Sequence, residues 1–295
     1  MNGVINILKP PGMTSHDVVS FVRKTLNMKK VGHTGTLDPN AAGVLPICIG
    51  QGTKVSQFLL DSVKRYRTEL TLGVTSDTQD SYGDVSKQME TDFDVETIRN
   101  AVLSFIGDYM QTPPMYSAVR MNGKKLYELA REGIEVERKS RLVHIKSIDI
   151  IHIKNNKVLF DVTCSKGTYV RTLCHDIGAK LGCGGIMSFL LRTKTGPFDL
   201  STSVSLEEFR QKAEKYILPI DFPLLHLGRI DINTRVSKLA LNGARLSYLD
   251  FLSREPNIVT GDTLRIYLES KFIGIATMKK DNEGKDYIKF SKLFV

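Results

Sequence analysis

The chain has 295 residues, 41% of them hydrophobic and 25% charged, enough for one large domain or two at roughly 150 residues each. That balance excludes a disordered or fibrous chain, and no stretch reaches the ~18 apolar residues that cross a bilayer. The 41 Lys and Arg outnumber the 32 Asp and Glu by nine, which favours a polyanionic partner, nucleic acid ahead of a membrane surface.

The excess is uneven. Residues 1–60 carry six basic and two acidic groups, 61–110 five and ten, and 111–199 fifteen and eight; 200–228 carry three and four, and 229–295 twelve and eight. This reads either as ordinary solvated surface or as an extended track for phosphates. The start, Met1 to Pro10, lacks the basic and apolar regions of a signal peptide. Cys48, Cys164, Cys174 and Cys183 include no Cys-x-x-Cys pair. Buried free thiols in a cytoplasmic protein are expected, with neither disulfides nor zinc.

In chain order, Thr14 and Asp17 form a capping box for a helix whose apolar face is Val18, Val19, Phe21, Val22 and Leu26. Val31 to Gly52 reads as loop around Asp38-Pro39. Lys64 to Val74 alternates as a strand, with Tyr66, Thr68, Leu70, Leu72 and Val74 on the apolar face. An acidic turn follows at Asp77–Asp84, then a helix from Val95 to Ile106 capped by Asp94 and stopped by Gly107. Gln111 to Gly123 reads as an extended loop and 124–133 as a short helix. Val143–Ile153 and Val158–Cys164 form a hairpin turning at Asn155-Asn156. A helix follows Thr168 and stops at Gly182. Ser205 and Glu208 cap another, to about Ile217. Beyond Gly228 come a short helix at Val236–Leu241 and strands at Leu264–Leu268, Phe272–Met278 and Tyr287–Val295.

Three segments could carry chemistry. Gly32-His33-Thr34-Gly35-Thr36-Leu37-Asp38-Pro39-Asn40-Ala41-Ala42-Gly43 packs three glycines, an imidazole and a carboxylate into twelve residues, without a Walker or dinucleotide spacing. Taken alone, Asp38 also fits an Asx-type turn before proline, and His33 a hydrogen-bonded loop histidine. Lys64-Arg65-Tyr66-Arg67 sets an aromatic among cations, as nucleic-acid surfaces do. Ser165 to Arg171 is a strand end passing through a Gly turn into a helix, which suits an anion. Ser15-His16-Asp17 lists triad residue types, but sequence neighbours do not aim at one another as a triad requires.

These blocks, with Lys9-Pro10-Pro11-Gly12-Met13-Thr14-Ser15, Thr78-Gln79-Asp80, Pro114-Met115-Tyr116-Ser117-Ala118, Gly123–Arg131 and Leu190-Leu191-Arg192-Thr193, occur in the order seen in one family. The chain resembles the bacterial tRNA pseudouridine-55 synthases, the TruB family, over most of residues 3–200. It departs at Asn40-Ala41-Ala42, where many members have Leu-Ala-Thr/Ser.

The resemblance implies an α+β fold: a catalytic domain over 1–228, with a mixed, mainly antiparallel sheet flanked by helices, and a small β-rich, PUA-like RNA-binding domain over 229–295. It implies isomerisation of the T-loop uridine of tRNA to pseudouridine after base flipping, without metal or cofactor. Asp38 matches the family's carboxylate nucleophile, Arg171 its arginine partner, and Tyr66 the tyrosine that stacks on the base. His33, Asp80, Leu191, Lys9, Lys64 and Tyr169 are the expected substrate contacts: His33 beside the flipped nucleotide, Leu191 the apolar wall of the pocket, Lys9 a support for the active-site strand or a phosphate. The implied partner is tRNA, through its T-loop and arm, with no protein partner, no membrane and a monomeric, cytoplasmic protein. An RNA-binding module without chemistry is the competing reading, disfavoured by the joint presence of Asp38, Tyr66 and Arg171.

Overall fold

A computed structural model describes residues 1–87, 91–121 and 123–294. The chain forms two main sheets with helices packed against them, an α+β arrangement. Helix Ser15–Leu26 opens as its capping box dictates: Thr14 Oγ1 accepts from the Asp17 N–H at 3.1 Å, and the Asp17 carboxylate accepts from the Thr14 N–H at 2.8 Å. Val18, Val19 and Val22 are buried.

Among the described residues the larger sheet has nine strands. Its main path runs Gly3–Lys9, Ala42–Ile49, Gly185–Thr195, Lys64–Leu72, Lys157–Cys164, Arg141–Lys154, Gly107–Gln111. The short strands Val31–His33 and Phe198–Asp199 pair alongside. Ala42–Ile49 and Gly185–Thr195 run parallel; the other neighbours are antiparallel.

The loop expected over Val31–Gly52 is narrower, since Val31–His33 and Ala42–Ile49 are strands. Residues Gly43–Ile49 are all buried. A strand covered on both faces shows a continuous apolar run rather than alternation, so its Gly and Pro read as loop. The alternation at Lys64–Leu72 is observed, with Lys64, Thr68, Leu70 and Leu72 buried on the Tyr66 face. Helix Val95–Leu103 ends three residues before Ile106, where the Ser104 hydroxyl donates back to the Ala101 carbonyl at 2.7 Å. The hairpin turns at Asn155, φ 52°. The helix opened by Ser205 stops at Gln211, and a 3₁₀ turn covers Ala213–Tyr216.

The second sheet spans Gly228–Leu293, in the order Leu246–Ser247, Asp286–Leu293, Lys271–Lys280, Thr263–Leu268, Gly228–Ile232, Phe251–Arg254. The expected last strand reaches Val295, which lies outside the described residues. The two sheets share a core: Val4, Val44 and Cys48 pack with Leu224, Ile275 and Phe294. Lys54 Nζ donates to the Leu293 carbonyl at 2.7 Å across this seam. All four cysteines are free and buried, and burial pushes the Cys48 thiol up to about 12. No helix among the described residues is long and apolar enough to cross a membrane.

Candidate active site

Three distant segments meet through strand register. Gly185–Thr195 lies between Ala42–Ile49, which follows the Asp38 loop, and Lys64–Leu72, which carries Tyr66. Arg192 is in register with Gly43 on one side and Tyr66 on the other. The approach at Gly43 needs glycine: its φ is +120°, and a Cβ there would collide with the Arg192 backbone.

The Asp38 loop is fixed from three sides. Ser15 Oγ accepts from the Leu37 N–H at 2.9 Å. The Gly12 N–H donates to the Pro39 carbonyl at 3.0 Å, and the Ala41 N–H to the Asp38 carbonyl at 3.1 Å. Lys9, wholly buried, donates from Nζ to the carbonyls of Pro10 and Pro39, each at 2.8 Å. Lys9 is therefore a clamp on the loop and not a surface contact for phosphate. Burial lowers its pKa to about 8, against the opposing pull of Asp38.

Arg171 stands in the first turn of helix Val170–Lys180. Its Nε lies 2.9 Å from Asp38 Oδ2, and Nη2 donates to Asp38 Oδ1 at 3.2 Å. The arginine side chain is 6% exposed and the carboxylate 35%, so the anion faces solvent while its partner is sealed behind it. Nη1 also donates to the Thr78 carbonyl at 3.0 Å and Nη2 to the Tyr116 carbonyl at 2.9 Å. Asp80 Oδ2 is 3.9 Å from Nε, and its Oδ1 accepts from Thr78 Oγ1 and the Tyr82 N–H. The Asp80 turn is tied to the central strand, where the Ser81 N–H donates to the Met187 carbonyl at 3.1 Å.

Sequence reasoning assigned no role to Arg192. It is 1% exposed; Nε donates to the Val44 carbonyl at 2.7 Å and Nη2 to the Gly35 carbonyl at 3.2 Å. Burial pushes the Tyr66 phenol up; the hydrogen-bonded Arg192 opposes this. Burial lowers the Arg192 pKa in turn. His33 is held low by burial first and by Arg192 and His16 next, and its Nδ1 accepts from the Gly35 N–H at 3.3 Å. The signal for Arg192 was its position in phase with buried Leu190 on one strand, an arginine where an apolar side chain is expected.

A cavity of about 70 Å³ opens on Asp38, Asp80, Tyr82 and Leu190. Leu190, with Met187 and Phe189, lines its apolar side, and Leu191 does not line it. Leu191 is in register with Arg67 on the neighbouring strand. Lys9, His33, Lys64, Tyr66 and Tyr169 also line no part of this cavity. Lys64 donates to the Leu60 and Ser62 carbonyls at 2.6 Å, tying the turn before its own strand, and burial lowers it to about 8. Tyr169 is the N-cap residue of the Arg171 helix. Its peptide is bracketed by Gln111, and its ring lies beneath the Arg141 guanidinium at 4.9 Å.

This geometry presents a partly exposed carboxylate, locked by a buried arginine, on a cavity with an apolar side. A model of the "TruB family pseudouridylate synthase (N terminal domain)" matches residues 23–170, and one of the "tRNA pseudouridylate synthase B C-terminal domain" matches residues 171–224. The chain belongs to the TruB family of pseudouridylate synthases. It is 56% identical to tRNA pseudouridine synthase B of Alkaliphilus oremlandii (strain OhILAs), over 99% of this chain and 98% of that protein. With the Clostridioides difficile (strain 630) protein of the same name it shares 47% identity over the full length of both. In the structure of an H/ACA RNP bound to a substrate RNA containing 2′-deoxyuridine, a chain with 27% identity superimposes with a TM-score of 0.78, covering 99% of this chain and 85% of that one. In this TruB family member the α+β fold is thus the family's fold.

Proposed function

We propose that this chain is the tRNA pseudouridine-55 synthase of its source: it converts the T-loop uridine of tRNA to pseudouridine, with Asp38 as nucleophile. The observation that carries this reading is the Asp38–Arg171 pair, a carboxylate aimed into a cavity and held at both oxygens. The reaction breaks N1–C1′, turns the uracil in place and bonds C5 to C1′; the proton leaving C5 is balanced by one gained at N1. The target base must leave the loop's stack to reach a recessed carboxylate, at a cost of a few kcal/mol. Tyr66 stacks on the flipped base, Leu190 walls its edge, and Asp80 and His33 position the nucleotide. Arg171 keeps Asp38 aimed. Arg192 holds the Tyr66 hydroxyl and the Gly35–Val44 backbone in one frame.

Residues 1–228 form the catalytic domain in this reading and 229–295 an RNA-binding one, whose twelve basic against eight acidic groups suit phosphates. The protein works as a monomer in the cytoplasm. Incubating an unmodified tRNA transcript with the protein and mapping pseudouridine tests the reading. A single new pseudouridine at the T-loop position is expected; RNA binding without any pseudouridine would leave a binding module instead.

A further inference from the structure

We propose that Ser188, backed by Glu69, is a positioning residue for the isomerisation: it holds a β-bulge that brings Leu190 and the Asp80 turn onto the Asp38 cavity. The proposal rests on the uridine-isomerising reading above. The bulge shows in the strand register. Met187 lies opposite Leu70 and Phe189 opposite Glu69, so Ser188 is an extra residue without a partner on the Tyr66 strand. Met187 and Leu190 stand three positions apart, yet both are buried in one core cluster with Leu70. On an unbroken strand, residues at that spacing face opposite sides. The extra residue restores the phase, as bulges beside active sites do when they re-aim a side chain.

Hydroxyl and carboxylate groups tie the bulge down. Ser188 Oγ donates to Glu69 Oε1 at 2.7 Å and accepts from Thr71 Oγ1 at 2.9 Å. Thr68 Oγ1 donates to the Phe189 carbonyl at 2.8 Å. Lys157 Nζ, from the next strand, donates to the same Glu69 oxygen at 2.8 Å. The Glu69 side chain is 27% exposed and lines no part of the cavity. A hydrogen bond to an ionised carboxylate is stronger than one between neutral groups, so the Ser188–Glu69 bond is the firmest of these ties.

Two parts of the site hang on the bulge. Leu190, just after it, lines the cavity. Met187, just before it, carries the acidic turn: its N–H donates to the Gln79 carbonyl and its carbonyl accepts from the Ser81 N–H, each at 3.1 Å. Asp80, between those two residues, lines the same cavity. The Thr78 carbonyl of this turn accepts from Arg171 Nη1 at 3.0 Å. Releasing Ser188 therefore loosens an apolar side of the cavity, Asp80, and a carbonyl that orients Arg171. Ser188 lines the cavity too, and Glu69, which does not, separates an action through the bulge from direct contact with the nucleotide.

The test uses full-length wild type, Ser188→Ala, Glu69→Ala, the double variant and Glu69→Gln, with an unmodified tRNA transcript. Single-turnover conversion, RNA affinity by filter binding and thermal unfolding are measured on each. Ser188→Ala and Glu69→Ala should each slow conversion about tenfold, short of the roughly 10²-fold that follows a misplacement of about 1 Å, with Kd within about twofold of wild type. The double variant should be no slower than either single one, because both remove the same bond. Glu69→Gln keeps the acceptor oxygen and should retain most of the rate. Where Ser188→Ala fails to fold, the two Glu69 variants carry the test. Unchanged rates in both alanine variants, a slow Ser188→Ala beside a wild-type rate in Glu69→Ala, slowing that multiplies in the double variant, a Glu69→Gln as slow as Glu69→Ala, or a loss confined to RNA affinity would each overturn the proposal. Absence of pseudouridine from the wild-type reaction would refute the enzyme reading instead.

Discussion

Arg171 engages both carboxylate oxygens of Asp38 and, with the same guanidinium, the carbonyls of Thr78 and Tyr116. One side chain therefore sets the aim of the carboxylate and joins two loops around it. Lysine offers a single point charge and cannot reproduce the planar fork. Arg171→Lys should lower the single-turnover rate by about 10²-fold, the scale of a small misplacement at a reacting centre, while RNA affinity changes little. Filter binding and single-turnover kinetics on one transcript separate the two quantities.

Tyr66 is half-buried on the apolar face of its strand, next to Arg192. If it stacks on the flipped uracil, Tyr66→Ala should weaken RNA binding by about 1–3 kcal/mol, and Tyr66→Phe by much less. Any rate lost in the phenylalanine variant then belongs to the hydroxyl. Equal binding losses in the two variants would contradict stacking.

Lys9 satisfies two carbonyls from a fully buried position. Lys9→Met leaves both unpaired and should destabilise the protein by about 1–3 kcal/mol. The folded value near 8 lies below the usual 10.5, so between these two pH values the unfolded chain binds more protons. The contribution of Lys9 to stability therefore rises from pH 8 to 10.5. Denaturant titrations at pH 7.5 and 9.5 should show a smaller gap at low pH.

Asp176 has the opposite sign. Burial raises its carboxyl from 3.8 to about 6, so the folded chain holds the proton longer than the unfolded one. Its stabilising contribution is complete below pH 3.8 and is lost as pH rises through 6. Asp176→Asn should melt above wild type at pH 7, with the gap closing below about pH 4.

The sequence carried the local structure wherever side-chain chemistry is local. Thr14 with Asp17, and Ser205 with Glu208, both form the capping boxes their spacing requires. The Tyr66 strand alternates, and the hairpin turns at Asn155. Ala42–Ile49 was not legible as a strand, because both its faces are covered and burial erases the period. The site residues Asp38, Arg171 and Asp80 meet as the motifs imply. The cavity is lined by Leu190 and the residues before it, and not by the expected Leu191. Lys9 and Lys64 turn inward to backbone carbonyls, and only the three-dimensional course of the chain reveals which carbonyls need a donor.

In the proposed reaction Asp38 performs the chemistry, and Arg171 and the surrounding loops present it. Asp38→Asn keeps the shape and removes the charge. With an unmodified tRNA transcript, the variant should bind as wild type does, within a few-fold, and form no pseudouridine at the T-loop position over hours. Pseudouridine formed by Asp38→Asn at a rate near that of wild type would contradict Asp38 as the nucleophile.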